Sequence, residues 1–422
     1  MTELVTITEY DYLKSATNPD HSKGEISFLA FDELATKIEA SPDDDDLDHG
    51  SIFWQRGQQL QARHYVGVIQ TSDGTQIEIL PKIARHGIDH SISRGIFLKM
   101  LREVGDIPNK RGQQADLTAA DFPLMEIFLR DFLQDVDQLL KRGLRSDYVR
   151  QRDNLPFLKG KLLLNEQIKH NLIRRDRFYV EYDSFEANRP ENRLLKSALQ
   201  KVLKLAKDFA NQRLARELLF AFDEIPSSSD YRQDFQACSK DRGMQYYHDS
   251  MHWCRLILND QSPVPQAGEK LFRSFLFPMP RLFEEYVASI FKRYLTGWQV
   301  EKQVRSQKLL QWTGTMEKWF DLKPDLILRG NNRVIIVDSK WKLIDTRDRA
   351  KHFGIYQADL YQLLTYAKYY GAERVILVYP KTDHFNQPLT FEYIGQNCQL
   401  DLWPLDLEAK PKDSTGEFSG FL

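Results

Sequence analysis

The sequence predicts an α+β protein of several domains: a β-rich N-terminal region over residues 1–105, a mainly helical middle region over 106–265, and an α/β domain over 266–422. Three patterns carry that reading. Near the N-terminus apolar and polar residues alternate with the period of two that suits a half-buried strand. In the middle, apolar residues recur every three or four positions, the spacing of one helix face. In the last third the order runs helix, strand, strand, helix, strand, the succession of an α/β layer. A length of 422 residues agrees, because ordinary domains take about 150 residues each.

Taken in order, Val5 to Thr8 forms the first alternating strand. The runs 65–70 and 76–80 flank Ser72, Asp73 and Gly74, and Asp-Gly supplies the backbone of a tight hairpin turn. Pro81, which lacks an N–H, ends the second run. The acidic segment 41–48 reads as a solvated loop, since adjacent carboxylates in a loop have no fixed geometry for a cation. Helix-face spacing then appears at Phe128, Phe132, Val136, Leu139 and Leu140, and again at Leu194, Leu195, Leu199, Val202 and Leu205. Between these helices, Lys159, Lys161, Lys169, His170, Arg174, Arg175 and Arg177 stand beside Phe178 and Tyr179. Basic residues interleaved with aromatics suit DNA phosphates, with Lys159, Lys161, Arg174 and Arg175 the candidate contacts. A solvated helix face with aliphatic stems lying along apolar surface explains them equally well. Pro263 and Pro265 mark the boundary to the last region, and the tail beyond Trp403, rich in Lys, Pro, Ser and Gly, is expected to be disordered at its end.

The formal net charge of −2 gives no global attraction to polyanions, so any DNA-binding surface must be local. Cys238, Cys254 and Cys398 are an odd number at unrelated spacings, which excludes a disulfide framework and a zinc motif. The chain has neither a basic leader with an apolar core nor an apolar run of membrane-spanning length, and it reads as cytoplasmic with no membrane partner.

The chemistry concentrates in the last third. Asp325 opens the apolar run Leu326, Ile327, Leu328, and Asp338 closes Val334, Ile335, Ile336, Val337. Two carboxylates at the ends of neighbouring strands suit a hard divalent cation, and Mg2+ is the natural candidate because it retains water and accepts phosphate oxygens. Lys340, two residues beyond Asp338, points to the same side of the strand and can orient water or stabilise charge on a scissile phosphate. Ser339 points the other way and is expected to need no chemistry. A helix over 281–291 offers Glu284 as a third carboxylate, nearer the edge of the apolar arc than Glu285. In the next helix Gln362 and Tyr366 lie one turn apart, placed to support Lys340 or a DNA strand, although Gln357 and Tyr361 repeat the spacing. Asp-x-Lys alone is short enough to arise by chance, and an aspartate opening a strand is commonly a turn residue. The ordered set is more specific than any of its parts.

That set resembles the PD-(D/E)xK nucleases, and among them the McrC family, nuclease subunits of McrBC-type modification-dependent restriction systems. The likeness extends to Val66–Gln70 with Ile77–Ile83, to Lys159-Gly160-Lys161, Phe178, Tyr182-Asp183 and Asn192–Lys196, and to Arg281–Glu284 and Tyr361-Gln362. It implies a restriction-endonuclease-like C-terminal domain with catalytic Asp325, Asp338 and Lys340, supported by Glu284, Gln362 and Tyr366. Asp325, Asp338 and Glu284 would bind Mg2+. It also implies cleavage of double-stranded, methylcytosine-containing DNA together with an McrB-like AAA+ GTPase that binds the GTP, contacts the N-terminal hairpin region and is stimulated by this chain. No phosphate-binding G-x-x-x-x-G-K-[ST] loop occurs here, in keeping with that division. Two other readings are a non-cleaving cap and activator of an AAA+ ring, and a RecB-like nuclease acting with a helicase. The latter leaves the N-terminal and central motifs unexplained.

Overall fold

A computed structural model describes residues 4–38, 52–83, 89–108, 122–239, 241–258, 273–330 and 332–422. The acidic segment 41–48 and the prolines at 263 and 265 lie outside the described residues. Two compact units divide the chain, Met1–Leu124 with Ser262–Leu422, and Met125–Gln261.

The first unit begins with β1 (Leu4–Thr8), β2 (Tyr12–Ser15), β3 (Glu25–Ile26), α1 (Phe28–Ile38), β4 (Phe53–Arg56), β5 (Gln59–Ala62), β6 (Tyr65–Gln70), β7 (Gln76–Leu80) and α2 (His90–Val104). The predicted hairpin is β6–β7, closed by Thr71 N–H to Thr75 O at 3.0 Å, and β7 stops before Pro81. Its strands are buried along their whole length. Glu78 lies among those buried residues, where the Arg94 guanidinium forks onto both of its oxygens at 2.9 and 2.7 Å. Burying a charge is tolerated only with such pairing.

The second unit runs α3 (Leu124–Arg142, from its second residue), β8 (Asp147–Leu155), β9 (Lys161–Leu162), α4 (Leu164–Asn171), β10 (Phe178–Glu186), α5 (Pro190–Leu205), α6 (Phe209–Phe220), α7 (Tyr231–Ala237) and α8 (His248–Leu258). The helices carrying the two predicted apolar faces are α3 and α5. The three-stranded sheet β8-β10-β9 was not expected in a mainly helical region. Charged pairs across its strands, Arg152 with Glu181 at 2.8 Å and Arg150 with Asp183 at 3.6 Å, stand where alternation would show apolar residues.

The chain then returns to the first unit with β11 (Arg273–Pro278), α9 (Met279–Tyr294), β12 (Gln299–Lys302), β13 (Gln307–Gln311), β14 (Lys318–Leu322), β15 (Leu326–Gly330), β16 (Arg333–Ser339), α10 (Gln357–Tyr370), β17 (Arg374–Pro380), β18 (Leu389–Glu392), β19 (Gln399–Leu405) and α11 (Pro411–Phe421). A mixed six-stranded sheet has the order β12-β15-β16-β17-β19-β18, with β16, β17 and β19 parallel. Leu363 and Ala367 of α10 join Ile336, Val375 and Leu377 of the sheet in one core. α9 packs on β16, α2 and α11.

Two expectations are corrected. The regions 1–105 and 266–422 are one unit, because β11 completes the N-terminal sheet β1-β7-β6-β11 by pairing antiparallel with β6. An unpaired β6 edge would leave a row of backbone donors and acceptors open. The tail is not disordered to its end either. Phe418 of α11 is fully buried, stacked on Phe291 at 4.4 Å and edge-on to Trp403 at 5.3 Å, and Lys99 holds the carbonyls of Leu407 and Ala409 before the helix. Among the described residues, no helix is long and apolar enough to cross a membrane.

The β6–β11 pairing depends on Gly67. Its φ is +138°, and a Cβ there would stand 1.8 Å from the carbonyl oxygen of Phe275. Gly67→Ala should cost about 3 kcal/mol, because the obstacle is backbone and cannot rotate away. Gly74→Ala, at φ +92° with nothing within 4 Å, should cost about 1 kcal/mol. Urea denaturation compares the two, and equal losses would contradict the packing argument.

Candidate active site

Asp325 immediately precedes β15, and Asp338 lies in the last turn of the pleat of β16. The antiparallel pairing of Leu326 with Val337 sets the two aspartates side by side. Asp338 is 2% exposed. Burial, then Asp338, then Glu284 push the Asp325 carboxyl well above the usual carboxylate range. Burial likewise raises Asp338, offset in part by Lys340. The Lys340 Nζ stands 2.7 Å from Asp338 Oδ2. Burial disfavours that ammonium, but Asp338 and Asp325 more than offset it and hold the lysine above its ordinary value.

Ser339 is not the passive residue expected. Its backbone N–H and its Oγ both donate to Asp325 Oδ2, at 2.8 and 3.0 Å, so the x of Asp-x-Lys fixes the neighbouring strand's carboxylate. Glu284 is near enough to raise both aspartates, whereas its own Oε1 accepts from Gln303 Nε2 at 2.5 Å. Glu285 turns away to Lys302. Among the described residues no three His, Cys, Asp or Glu side chains converge closely enough to hold an ion together. Glu284 thus stands beside the pair with one oxygen held by Gln303, and Asp325 and Asp338 are the closer donors. Two adjacent carboxylates, one half-buried and one buried, each raised by removal from water, fit a hard divalent cation, since its charge relieves the repulsion that the fold imposes.

The structure separates the two Q-x-x-x-Y candidates. Tyr366 is buried, accepts from Gln362 Nε2 at 2.9 Å and donates to Lys323 O at 3.2 Å, two residues before Asp325. Burial and then Asp338 raise its phenol. Gln357 and Tyr361 also bond to one another at 2.5 Å, but both are exposed.

Sequence reasoning missed the residues behind Lys340. Trp341 is 4% exposed and donates its indole N–H to Glu9 at 2.9 Å, while Lys82 Nζ donates to the Trp341 carbonyl at 2.6 Å. The Lys82 N–H binds the same Glu9 carboxylate at 2.8 Å, and Phe283, beside Glu284, packs on the Trp341 ring at 5.3 Å. The hairpin motif ending at Lys82 thus braces the strand that carries Asp338 from within; its two strands are buried, and Ser72 and Asp73 of its turn are exposed. Lys342 pairs with Asp359 at 2.8 Å, and Asp359 raises Asp338 in turn. The only available signal was the second lysine in Asp-Ser-Lys-Trp-Lys.

The candidate DNA contacts lie in the second unit. Lys159 stands 3.9 Å over the Tyr182 ring, Lys161 opens β9, and Arg174 and Arg175 are exposed in the turn after α4.

The model of a family described as McrBC 5-methylcytosine restriction system component matches residues 60–380. That span includes both aspartates, Lys340 and the second unit. The type IV methyl-directed restriction enzyme EcoKMcrBC of Escherichia coli (strain K12) is 24% identical over 264 residues, 58% of this chain and 74% of that protein. A chain of the refined half-complex from the tetradecameric assembly of Thermococcus gammatolerans McrB AAA+ hexamers with bound McrC shares the fold. Its TM-score is 0.77 at 19% identity, over 99% of this chain and all of that one. A chain of the Thermococcus gammatolerans McrBC complex gives a TM-score of 0.55 at 21% identity, over 70% of this chain and 89% of its own. With the motifs, the site geometry and a family match across three quarters of its length, the chain belongs to the McrBC 5-methylcytosine restriction system components, as a chain of McrC type.

Proposed function

We propose that this chain is the Mg2+-dependent DNA endonuclease subunit of a McrBC-like restriction system, cleaving methylcytosine-containing duplex DNA with an McrB-like AAA+ GTPase whose hydrolysis it stimulates. The observation that carries the nuclease reading is the adjacent pair of a half-buried Asp325 and a buried Asp338, with Lys340 2.7 Å from Asp338. A buried acid with a second, half-buried acid and a lysine beside it, at a strand end in a mixed sheet, is poorly explained by stability, since burying charge without need is costly. Family membership supports the system, and the Thermococcus gammatolerans assembly of McrB AAA+ hexamers with bound McrC supports the partner.

Asp325 and Asp338 would hold the cation, which when bound polarises the scissile phosphate and acidifies a water. Ser339 keeps Asp325 turned toward Asp338. Lys340 presents its ammonium where negative charge builds on the phosphate, a placement that helps most out of bulk water. Tyr366 steadies the backbone before Asp325, and Trp341, held by Glu9 and Lys82, steadies the backbone after Lys340. Glu284 adds negative potential from beside the pair. Lys159, Lys161, Arg174 and Arg175 offer phosphate contacts on the other unit.

Asp338→Ala and Lys340→Ala should each lower cleavage of methylated DNA by the reconstituted complex at least about a hundredfold. GTPase stimulation should stay at the wild-type level in both. Plasmid cleavage and phosphate release measured side by side decide it, and cleavage retained by both variants refutes the assignment. Ser339→Ala removes one of two hydrogen bonds to Asp325, worth about 1 kcal/mol. It should raise the Mg2+ concentration for half-maximal cleavage several-fold, and an unchanged Mg2+ titration would rule out the positioning role.

A further inference from the structure

Among the described residues, β13 and β14 form a two-stranded ribbon of their own. It carries Leu309, Leu310, Trp312, Met316, Trp319 and Phe320, of which Trp312 is 50%, Phe320 64% and Met316 66% exposed. Single exposed apolar side chains are ordinary, but six on one two-stranded ribbon form a patch of the kind that marks a contact surface. Phe320 has φ +62° within its strand. A left-handed residue interrupts the alternation of faces, and Trp319 and Phe320 are both left in solvent. Two strands alone are marginally stable, and this pair is held at its root by α10. Tyr369 donates to Leu309 O at 2.9 Å, Tyr370 to Leu322 O at 2.8 Å and Val304 O at 3.1 Å, and Tyr366 to Lys323 O. A fixed root and an uncovered end suit an element that reaches into something.

We infer that this ribbon enters a groove of the duplex DNA lying at the Asp325–Asp338 site, an inference that rests on the nuclease reading. The ribbon's last residue, Leu322, stands three positions before Asp325, so a duplex with a phosphate at the site must pass beside the ribbon. Residues 305–323 carry Arg305, Lys308, Lys318 and Lys323 against Glu317 and Asp321, on a chain whose net charge is −2. That local excess is complementary to phosphate. A major groove about 12 Å wide accepts a two-stranded ribbon, and apolar side chains there meet thymine methyl groups.

The test uses the full-length chain and a fluorescein-labelled 30-base-pair duplex, with anisotropy read in Ca2+ and molar mass by light scattering. Trp319→Ser with Phe320→Ser should weaken binding about tenfold or more, the scale of losing base contacts by aromatic side chains. Ile394→Ser, which removes a fully exposed apolar residue elsewhere, should bind as wild type. Lys318→Gln, a surface change that spares the fold, should lower the salt slope of binding by about one ion. Asp338→Ala tests the nuclease reading separately, and cleavage by that variant would sink that reading whatever the ribbon variants do. The inference is overturned if the wild type has no measurable affinity or if the ribbon variants bind as wild type. It is also overturned if they only dissociate a dimer without loss of affinity, which would make the ribbon a contact between copies.

Discussion

Two carboxylates kept side by side away from water repel each other, and the surroundings of Asp325 and Asp338 can be understood as responses to that constraint. Lys340 supplies the opposite charge at 2.7 Å, and Ser339 supplies two donors to Asp325. Neither would hold its place at a frayed strand end. The residue after Lys340 is therefore anchored on both its side chain, by Glu9, and its backbone, by Lys82. A preorganised site needs such supports, because a displacement of about 1 Å in a reacting group is costly in rate. Strands at opposite ends of the chain thus meet around these residues, in keeping with the N-terminal sheet and the sheet that carries Asp338 lying in one compact unit.

Helix α10 joins two tasks. Leu363, Ala367 and the ring of Tyr370 bury against the sheet core, while the hydroxyls of Tyr366, Tyr369 and Tyr370 reach backbone carbonyls between 304 and 323. Tyrosine suits this position because it combines a large apolar body with a polar tip. One helix face therefore sets both the core behind the aspartates and the direction in which the ribbon leaves the protein.

Much of this was legible in the sequence, and the parts that were not were hidden for separate reasons. Local signals served well: the Asp73-Gly74 turn, the apolar faces of α3 and α5, and the strand pair ending in Asp-x-Lys all rest on neighbours in the chain. The β8–β10 sheet was hidden because charged pairs between strands do not alternate. The roles of Glu9 and Trp341 were hidden because their partners lie more than 300 residues apart. Ser339 was misjudged on side-chain direction alone, without counting its N–H as a donor to the next strand. The tail was misjudged on composition, although its Phe418 packs between Phe291 and Trp403 and its Phe421 packs on Trp403 as well.

The pairing of β6 with β11 also governs the order in which the chain can fold. During synthesis the N-terminal sheet emerges with the β6 edge bare, and its partner at 273–278 follows about two hundred residues later. A segment of such length closes slowly, because the search must precede the contacts that reward it. Residues 125–261 meanwhile form a compact unit with their own helical core and can fold as soon as they leave the ribosome. Folding a self-contained unit between two strands of one sheet shortens the effective loop, and the strands that carry Asp325 and Asp338 follow only after both.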